Sequence, residues 1–158
     1  MARIKLDKID RKILANLQNS GRMTNVDLAK EAGISAPPCL RRVRALEDAG
    51  FIKSYHARLD NKALGYGVTI FAKVKLESHA DTELKAFEKA CADWDCVREC
   101  WMLTGDTDFL LKIVARDWDD YQQFLTNQLT ASPNISGVKS SLSIRASKEE
   151  TGIPVDAC

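Results

Sequence analysis

The sequence predicts an α+β chain made of two unlike parts, a small helical domain followed by a βαββαβ sandwich. Three observations lead there. From Leu6 to Leu46 the apolar residues recur at helical spacing, whereas from Val68 onward they fall into alternating stretches separated by two helical ones. Turn-forming residues punctuate both regions. The charge also changes sign along the chain: residues 1–60 carry twelve basic side chains against seven acidic ones, and residues 61–158 carry eleven against fifteen. An overall net charge of +1 therefore joins a part at +5 to a part at −4. A basic domain suits a polyanion, and an acidic one gains nothing from touching it.

Length and composition narrow the classes further. A chain of 158 residues, 45% hydrophobic, suits one or two small domains with a real core, and excludes disordered tails, collagen and low-complexity sequence. No apolar run approaches the ~18 residues of a membrane span. Met1 to Lys12 is charged rather than signal-like, so the expected location is the cytoplasm. The five cysteines at 39, 91, 96, 100 and 158 form no C-x-x-C pair and are odd in number. With His56 and His79 as the only histidines, a zinc site has little support and reduced thiols are expected. Cys39 and Cys91 fall on apolar helical faces. Cys96 and Cys100 share one face of a predicted strand, too far apart for an easy disulfide.

The first helix spans about 8–19, with Leu6, Ile9, Ile13, Leu14 and Leu17 as its apolar set and Asp7 as N-cap. Asn19-Ser20-Gly21 stops it. A second helix starts at Thr24, whose hydroxyl caps the amides of Val26 or Asp27; Val26, Leu28 and Ala29 form its buried side and Gly33 ends it. Ser35 caps a third, where Pro37 and Pro38 are tolerated because they lie in the first turn. Cys39, Val43 and Leu46 mark its buried stripe, and Gly50 closes it. Two short helices joined by a tight glycine turn make a helix-turn-helix unit. Phe51 to Leu59 reads as a hairpin with apolar alternation, a wing. The third helix turns Arg41, Arg42 and Arg44 away from the stripe, where guanidinium groups bind phosphate or guanine edges. With Thr24, Asn25, Ser35, Pro37, Pro38 and Lys53, these are the candidate contacts to double-stranded DNA. A solvated charged face with pairs such as Arg44–Asp48 is the alternative; capping, helix spacing, wing and charge favour DNA.

These residues carry a family resemblance. Leu6-Asp7-Lys8-Ile9-Asp10-Arg11-Lys12-Ile13-Leu14 and Leu17-Gln18-Asn19-Ser20-Gly21-Arg22 resemble the opening of Lrp/AsnC transcription regulators. So do Leu28-Ala29, Gly33-Ile34-Ser35, Arg42-Val43, Leu46-Glu47 and Gly50-Phe51-Ile52. Pro38-Cys39-Leu40-Arg41-Arg42-Val43 is similar to the proteobacterial leucine-responsive and cysteine-responsive branches. The motifs fall in order along nearly the whole chain. The resemblance implies a sequence-specific regulator, nucleoid-associated, answering to a small amino acid such as leucine or cysteine and needing no other cofactor.

Asn61 to Gly67, polar and twice broken by glycine, reads as the hinge between a domain at 1–60 and one at 68–146. Val68 to Leu76 alternates as a strand. Leu84, Phe87 and Cys91 define a helix over about 80–93, and Cys96–Leu103 and Phe109–Ala115 are two strands. Tyr121, Phe124, Leu125 and Leu129 mark a second helix ending before Pro133, and Gly137 to Ala146 is the last strand. The order βαββαβ predicts a ferredoxin-like sandwich with both helices on one face. Phe71, Trp101 and Leu103 then lie on a bare sheet face, and a two-fold dimer would cover them while presenting two recognition helices to a palindromic site. Cover from the first domain or the tail is the alternative. The resemblance implies dimers through this domain, commonly assembled into octamers.

Met102 to Leu111 resembles the family's G-D-x-D-x-L-L turn, which lines an effector pocket between dimers. Gly105 permits close backbone approach, and exposed amides can hold a carboxylate. Asp106 or Asp108 can receive an ammonium group, and Trp101 or Met102 an apolar side chain. Thr104 and Thr107 complete the candidate ligand set. A plain Gly-Asp hairpin is the other reading. A different class remains in view, since the two-domain fold also resembles sirohaem decarboxylases; that chemistry wants histidines or a basic cluster in the second domain, which has only His79. A third reading is a DNA-organising protein without sequence preference. The tail at 147–158 has no periodicity and no assigned role.

Overall fold

The computed structural model describes residues 5–150 and 152–155. Its contacts divide the chain into two units, Met1–Arg58 with Lys148–Cys158, and Leu59–Ser147. The first unit contains α1 (Lys8–Asn19), α2 (Asn25–Ala32) and α3 (Ala36–Asp48). The Asp7 carboxylate accepts from the amides of Ile9 and Asp10, while Asp10 accepts from the Asp7 amide, a capping box closed on the orphan amides of α1. Thr24 accepts from the Asp27 amide at 3.2 Å, and Gly33 ends α2 in the left-handed region. Ile13, Leu28, Ala29, Ala32, Cys39 and Leu46 form the core.

Several expectations for this unit need correction. Val26 is not on the buried side of α2 but 69% exposed. Ser35 sits at the N-cap of α3, yet its hydroxyl makes no cap bond. The wing hairpin does not form: residues 51–59 hold no strand ladder. Phe51 and Ile52 fold back through their amides onto the Leu46 carbonyl, and the Tyr55 hydroxyl donates to Glu47 at 2.9 Å. The physical reason is local. Nothing between Phe51 and Leu59 supplies the Asn-Gly or Asp-Gly pair that a tight hairpin turn requires.

The expected tail also has a place. Gln18 exchanges two hydrogen bonds with the Ile153 backbone, donating to its carbonyl at 2.8 Å and accepting from its amide at 3.0 Å. Arg11 donates to the Val155 carbonyl at 3.1 Å, and Arg58 pairs with Glu149. The segment therefore runs along α1 as an extended strap. Gly152 lies so close to Gln18, at φ +83, that a Cβ there would collide with it.

The second unit contains β1 (Val68–Leu76), α4 (Asp81–Asp93), β2 (Val97–Met102), β3 (Phe109–Ala115), α5 (Trp118–Phe124) and β4 (Ile135–Leu142). A π-helical turn at Leu125–Leu129 extends α5. The sheet order is β2-β3-β1-β4 and the pairings are antiparallel, which is the ferredoxin-like arrangement. Strict alternation along β1 and β3 buries Ile70, Ala72, Val74, Phe109, Leu111 and Ile113 under the helices. Phe87 stacks on Phe109 at 4.8 Å between centroids, and Trp94 meets Phe124 edge-on at 5.3 Å. Two boundaries differ from expectation. β4 begins two residues before Gly137 and stops at Leu142, leaving Ile144 almost fully exposed. A register slip between Val97 and Glu99 also breaks the alternation of β2.

Candidate DNA and ligand interfaces

On α3 the residues opposite the buried stripe are Pro37, Leu40, Arg41 and Arg44, at i, i+3, i+4 and i+7, and all four are exposed. Arg41 and Arg44 make no ion pair among the described residues, with Asp48 or any other acid. Two free guanidinium groups thus flank an apolar side chain. Such a stripe matches what a recognition helix brings into a major groove, where arginine forks onto guanine and apolar carbons meet the thymine methyl. Leu40 was not among the expected contacts. Its spacing from Arg41 and Arg44 was the available signal.

Arg42 does not belong to this stripe. Its Nη1 donates at 2.7 Å to both Asp7 Oδ2 and Asp10 Oδ1, clamping α3 onto the start of α1. The expectation of a third free arginine is corrected, because the i+1 position on a helix turns about 100° away from its neighbour. Asp10, 8% exposed, needs that partner: a buried carboxylate without one carries a large desolvation cost. The bond to the Asp10 amide, then Arg42, holds the Asp7 carboxyl below the usual carboxylate range.

The other expected contacts are spread around the turn between α2 and α3. Asn25 donates through Nδ2 to the Ala36 carbonyl at 2.9 Å, bracing the first turn of α3, while its Oδ1 is buried without a partner. The Thr24 hydroxyl is engaged with Asp27. Ser35 is exposed with its side chain uncommitted to the cap, Pro38 is half-buried, and Lys53 is exposed on the strand-free segment after α3.

The 104–108 turn sits between β2 and β3. Gly105 adopts φ +108 with open space where a Cβ would stand, so conformation and not crowding calls for glycine there. Thr104 and Asp106 are exposed and Thr107 is half-buried. Asp108 differs from what its motif suggested. Its Oδ2 accepts from the Leu76 amide at 2.7 Å, its Oδ1 meets His79 Nε2 at 2.9 Å, and its own amide donates to the Val74 carbonyl. Both carboxylate oxygens are thereby committed to the end of β1 and the segment after it, and among the described residues the unpaired acid of the turn is Asp106.

The structure does not bring Trp101 and Met102 to one wall. Trp101 pairs with Leu110 on the open sheet face, and Met102 pairs with buried Phe109 on the helix side. Beside Trp101, 58% exposed, lie Leu110 and a Glu99 held by Lys112 at 2.8 Å and by the Trp101 indole at 3.2 Å, while Phe71 pairs with Lys112 one strand further in. That ion pair holds the Glu99 carboxyl below its ordinary range. A cavity of about 380 Å³ in this unit lies elsewhere: Trp94, Cys96, Tyr121, Phe124 and Asn127 line it, and none of the candidate ligand residues does. With Thr104, Gly105 and Asp106 exposed, the turn presents an open surface. Among the described residues no group of three or more His, Cys, Asp and Glu side chains is arranged to hold a metal ion.

Comparison with known proteins adds a second line. Residues 6–53 match the winged helix-turn-helix DNA-binding family, and residues 69–153 match the Lrp/AsnC ligand binding domain. A leucine-responsive regulatory protein of Rhizobium meliloti is 48% identical over 98% of this chain and 99% of its own length. The Bkd operon transcriptional regulator of Pseudomonas aeruginosa is 42% identical over 89% of this chain and 92% of its own. In three dimensions, a transcriptional regulator of Neisseria meningitidis, crystallised as its L-Met complex, superposes with a TM-score of 0.92 at 34% identity, covering 96% of this chain and 98% of that one.

Proposed function

Because the chain belongs to the Lrp/AsnC family of transcriptional regulators, we propose that it reads double-stranded DNA through the exposed stripe of α3 and answers to a small amino acid at the 104–108 turn. The observation that carries the DNA half is the pairing of free Arg41 and Arg44 around exposed Leu40 on a helix whose other faces are committed. The uncommitted Ser35 hydroxyl and Lys53 supply phosphate contacts at either side of that helix, and Asn25, Thr24, Pro37 and Pro38 set its entry.

The regulator works as a homodimer joined through the open sheet face, where Phe71 and Trp101 lie exposed with half-buried Leu110 beside Trp101, and the dimers gather into larger rings such as octamers. Two-fold symmetry suits a palindromic operator. An open turn in one chain becomes a pocket when a neighbouring copy closes it, so the amino acid biases assembly as well as DNA affinity. Gly105 and its exposed neighbours receive the ligand's carboxylate, Asp106 its ammonium group, and Met102 or Trp101 its side chain. Leucine, cysteine and the methionine bound by the Neisseria regulator are the first ligands to try. The described residues include no helix long and apolar enough to cross a membrane, and we place the protein on the nucleoid.

Gel shifts on the protein's own upstream region test the DNA half. Arg41→Ala and Arg44→Ala are expected each to weaken binding about tenfold, the lower end of a bidentate base contact. Undiminished affinity in both would remove α3 from the interface. Calorimetry across the twenty amino acids tests the other half: one or a few aliphatic or sulfur-containing ligands are expected to bind, and Asp106→Ala to weaken them.

A further inference from the structure

The outer strand β2 brings together two cysteines that neither DNA nor amino-acid binding uses. Cys91 lies on the buried stripe of α4, inside the core of the second unit. On β2, Val97 pairs with buried Ile113 and so faces the helices. Plain alternation from there would send Cys100 to the opposite face. The extra residue between Val97 and Glu99 reverses the parity, so Cys100 pairs with fully buried Leu111 and also faces the helices. Both side chains therefore enter the layer between the sheet and its helices.

The pair is asymmetric. Cys100 lies on the first strand of the sheet order and is exposed, whereas Cys91 is 4% exposed. The neighbouring Cys91 holds the Cys100 thiol below its ordinary range, while Cys100 and burial push the Cys91 thiol up. A reachable sulfur with thiolate character beside a sheltered partner is the arrangement of an attacking and a resolving cysteine.

We propose that Cys91 and Cys100 form a reversible dithiol–disulfide site, oxidised by hydroperoxides, that ties α4 to the strand leading into the 104–108 turn. The Cys100 thiolate attacks the peroxide; an S–O bond forms, the O–O bond breaks, and the released hydroxide takes up a proton to leave as water. Cys91 then attacks the sulfenic sulfur, the S–S bond forms, the S–O bond breaks, and a second water departs. Two thiols lose two electrons and two protons, and one hydrogen peroxide becomes two waters. Oxidation fastens the edge strand that carries Trp101 and Met102, and a dithiol reductant releases it.

The test uses the full-length protein, reduced and then titrated with hydrogen peroxide, blocked with an alkylating agent and mapped by mass spectrometry without reduction. The peptides holding Cys91 and Cys100 are expected to be recovered linked within one chain, lighter by two hydrogens, and separated again by dithiothreitol. The linkage should persist when Cys39, Cys96 and Cys158 are all changed to Ser, and vanish in Cys100→Ser. In Cys91→Ser, dimedone should trap a sulfenic acid on Cys100. The proposal is overturned if both thiols stay alkylatable while other cysteines oxidise. A link from Cys100 to Cys96 or to a second chain, or an inert Cys100 in Cys91→Ser, would overturn it equally.

Discussion

The α3 stripe and the 104–108 turn hold their charges in opposite ways. On α3 the outward guanidinium groups of Arg41 and Arg44 meet no acid among the described residues, while the arginine that turns sideways is consumed by Asp7 and Asp10. In the turn the more sheltered acid, Asp108, is consumed by Leu76 and His79, and Asp106 is left facing outward. Each region spends one charged side chain on holding its own shape and keeps another for a partner. A charged residue inside a binding motif is therefore not by that fact a contact. Its partners decide.

Separating the two roles by substitution tests that contrast. The largest effect is expected from Asp108→Ala, which strips a buried amide of its acceptor and His79 of its partner; about 2 kcal/mol of stability should be lost, read as a lower thermal midpoint. Asp106→Ala should leave that midpoint alone and weaken amino-acid binding. An Asp108 variant with wild-type stability and no ligand affinity would break the contrast. Gly105→Val forces a β-branched residue to positive φ, and about 1–2 kcal/mol of strain is expected, again seen in thermal unfolding. Gly152→Val should act on the other unit: with no room beside Gln18, the strap along α1 lifts, and hydrogen exchange of the Ile153 amide should quicken while the second unit is unchanged.

The smallest expected effect is a pH dependence. The Asp7 carboxyl is held below its ordinary range by the Asp10 amide and Arg42. A depressed folded pKa contributes stability that is complete above the unfolded value of about 3.9 and is lost as pH falls through the folded one. Asp7→Asn keeps a capping side chain and removes the charge. Exchange protection in α1 should thus differ between wild type and variant at neutral pH and converge in acid. A gap that persists in acid would mean the charge is not what Arg42 uses.

Much of the fold was legible because its determinants are close in sequence. Asp7, Thr24 and Gly33 announce helix ends through bonds that span two to five residues, and the alternation of Val68 to Leu76 names the buried face of β1 without reference to any other strand. What escaped depends on distant partners or on geometry with no residue signature. Arg42 meets acids 32 and 35 positions away, Asp108 an amide 32 positions back, and Gln18 a backbone 135 positions on. The slip in β2 has no glycine to mark it, yet it decides which way Cys100 faces. Phe51 to Leu59 carries the alternation of a hairpin without its turn, and alternation alone does not close a ladder. For the candidate sites the same division holds: Arg41, Arg44 and Asp106 were readable as charges on helix or turn, but that they remain free was visible only once their neighbours' partners were placed.

The arginines of α3 divide between DNA and fold, and the salt dependence of operator affinity separates them, measured for wild type, Arg41→Ala, Arg44→Ala and Arg42→Gln. A lost phosphate contact lowers the slope of log affinity against log salt by about 0.9, whereas a base contact or a brace leaves the slope in place. Arg41→Ala or Arg44→Ala is expected to weaken binding, with the slope shallower wherever phosphate is the partner. Arg42→Gln is expected to keep the wild-type slope, with its cost appearing as reduced thermal stability of the first unit. A shallower slope in Arg42→Gln, beside unchanged affinity and slope in the other two, would contradict this division.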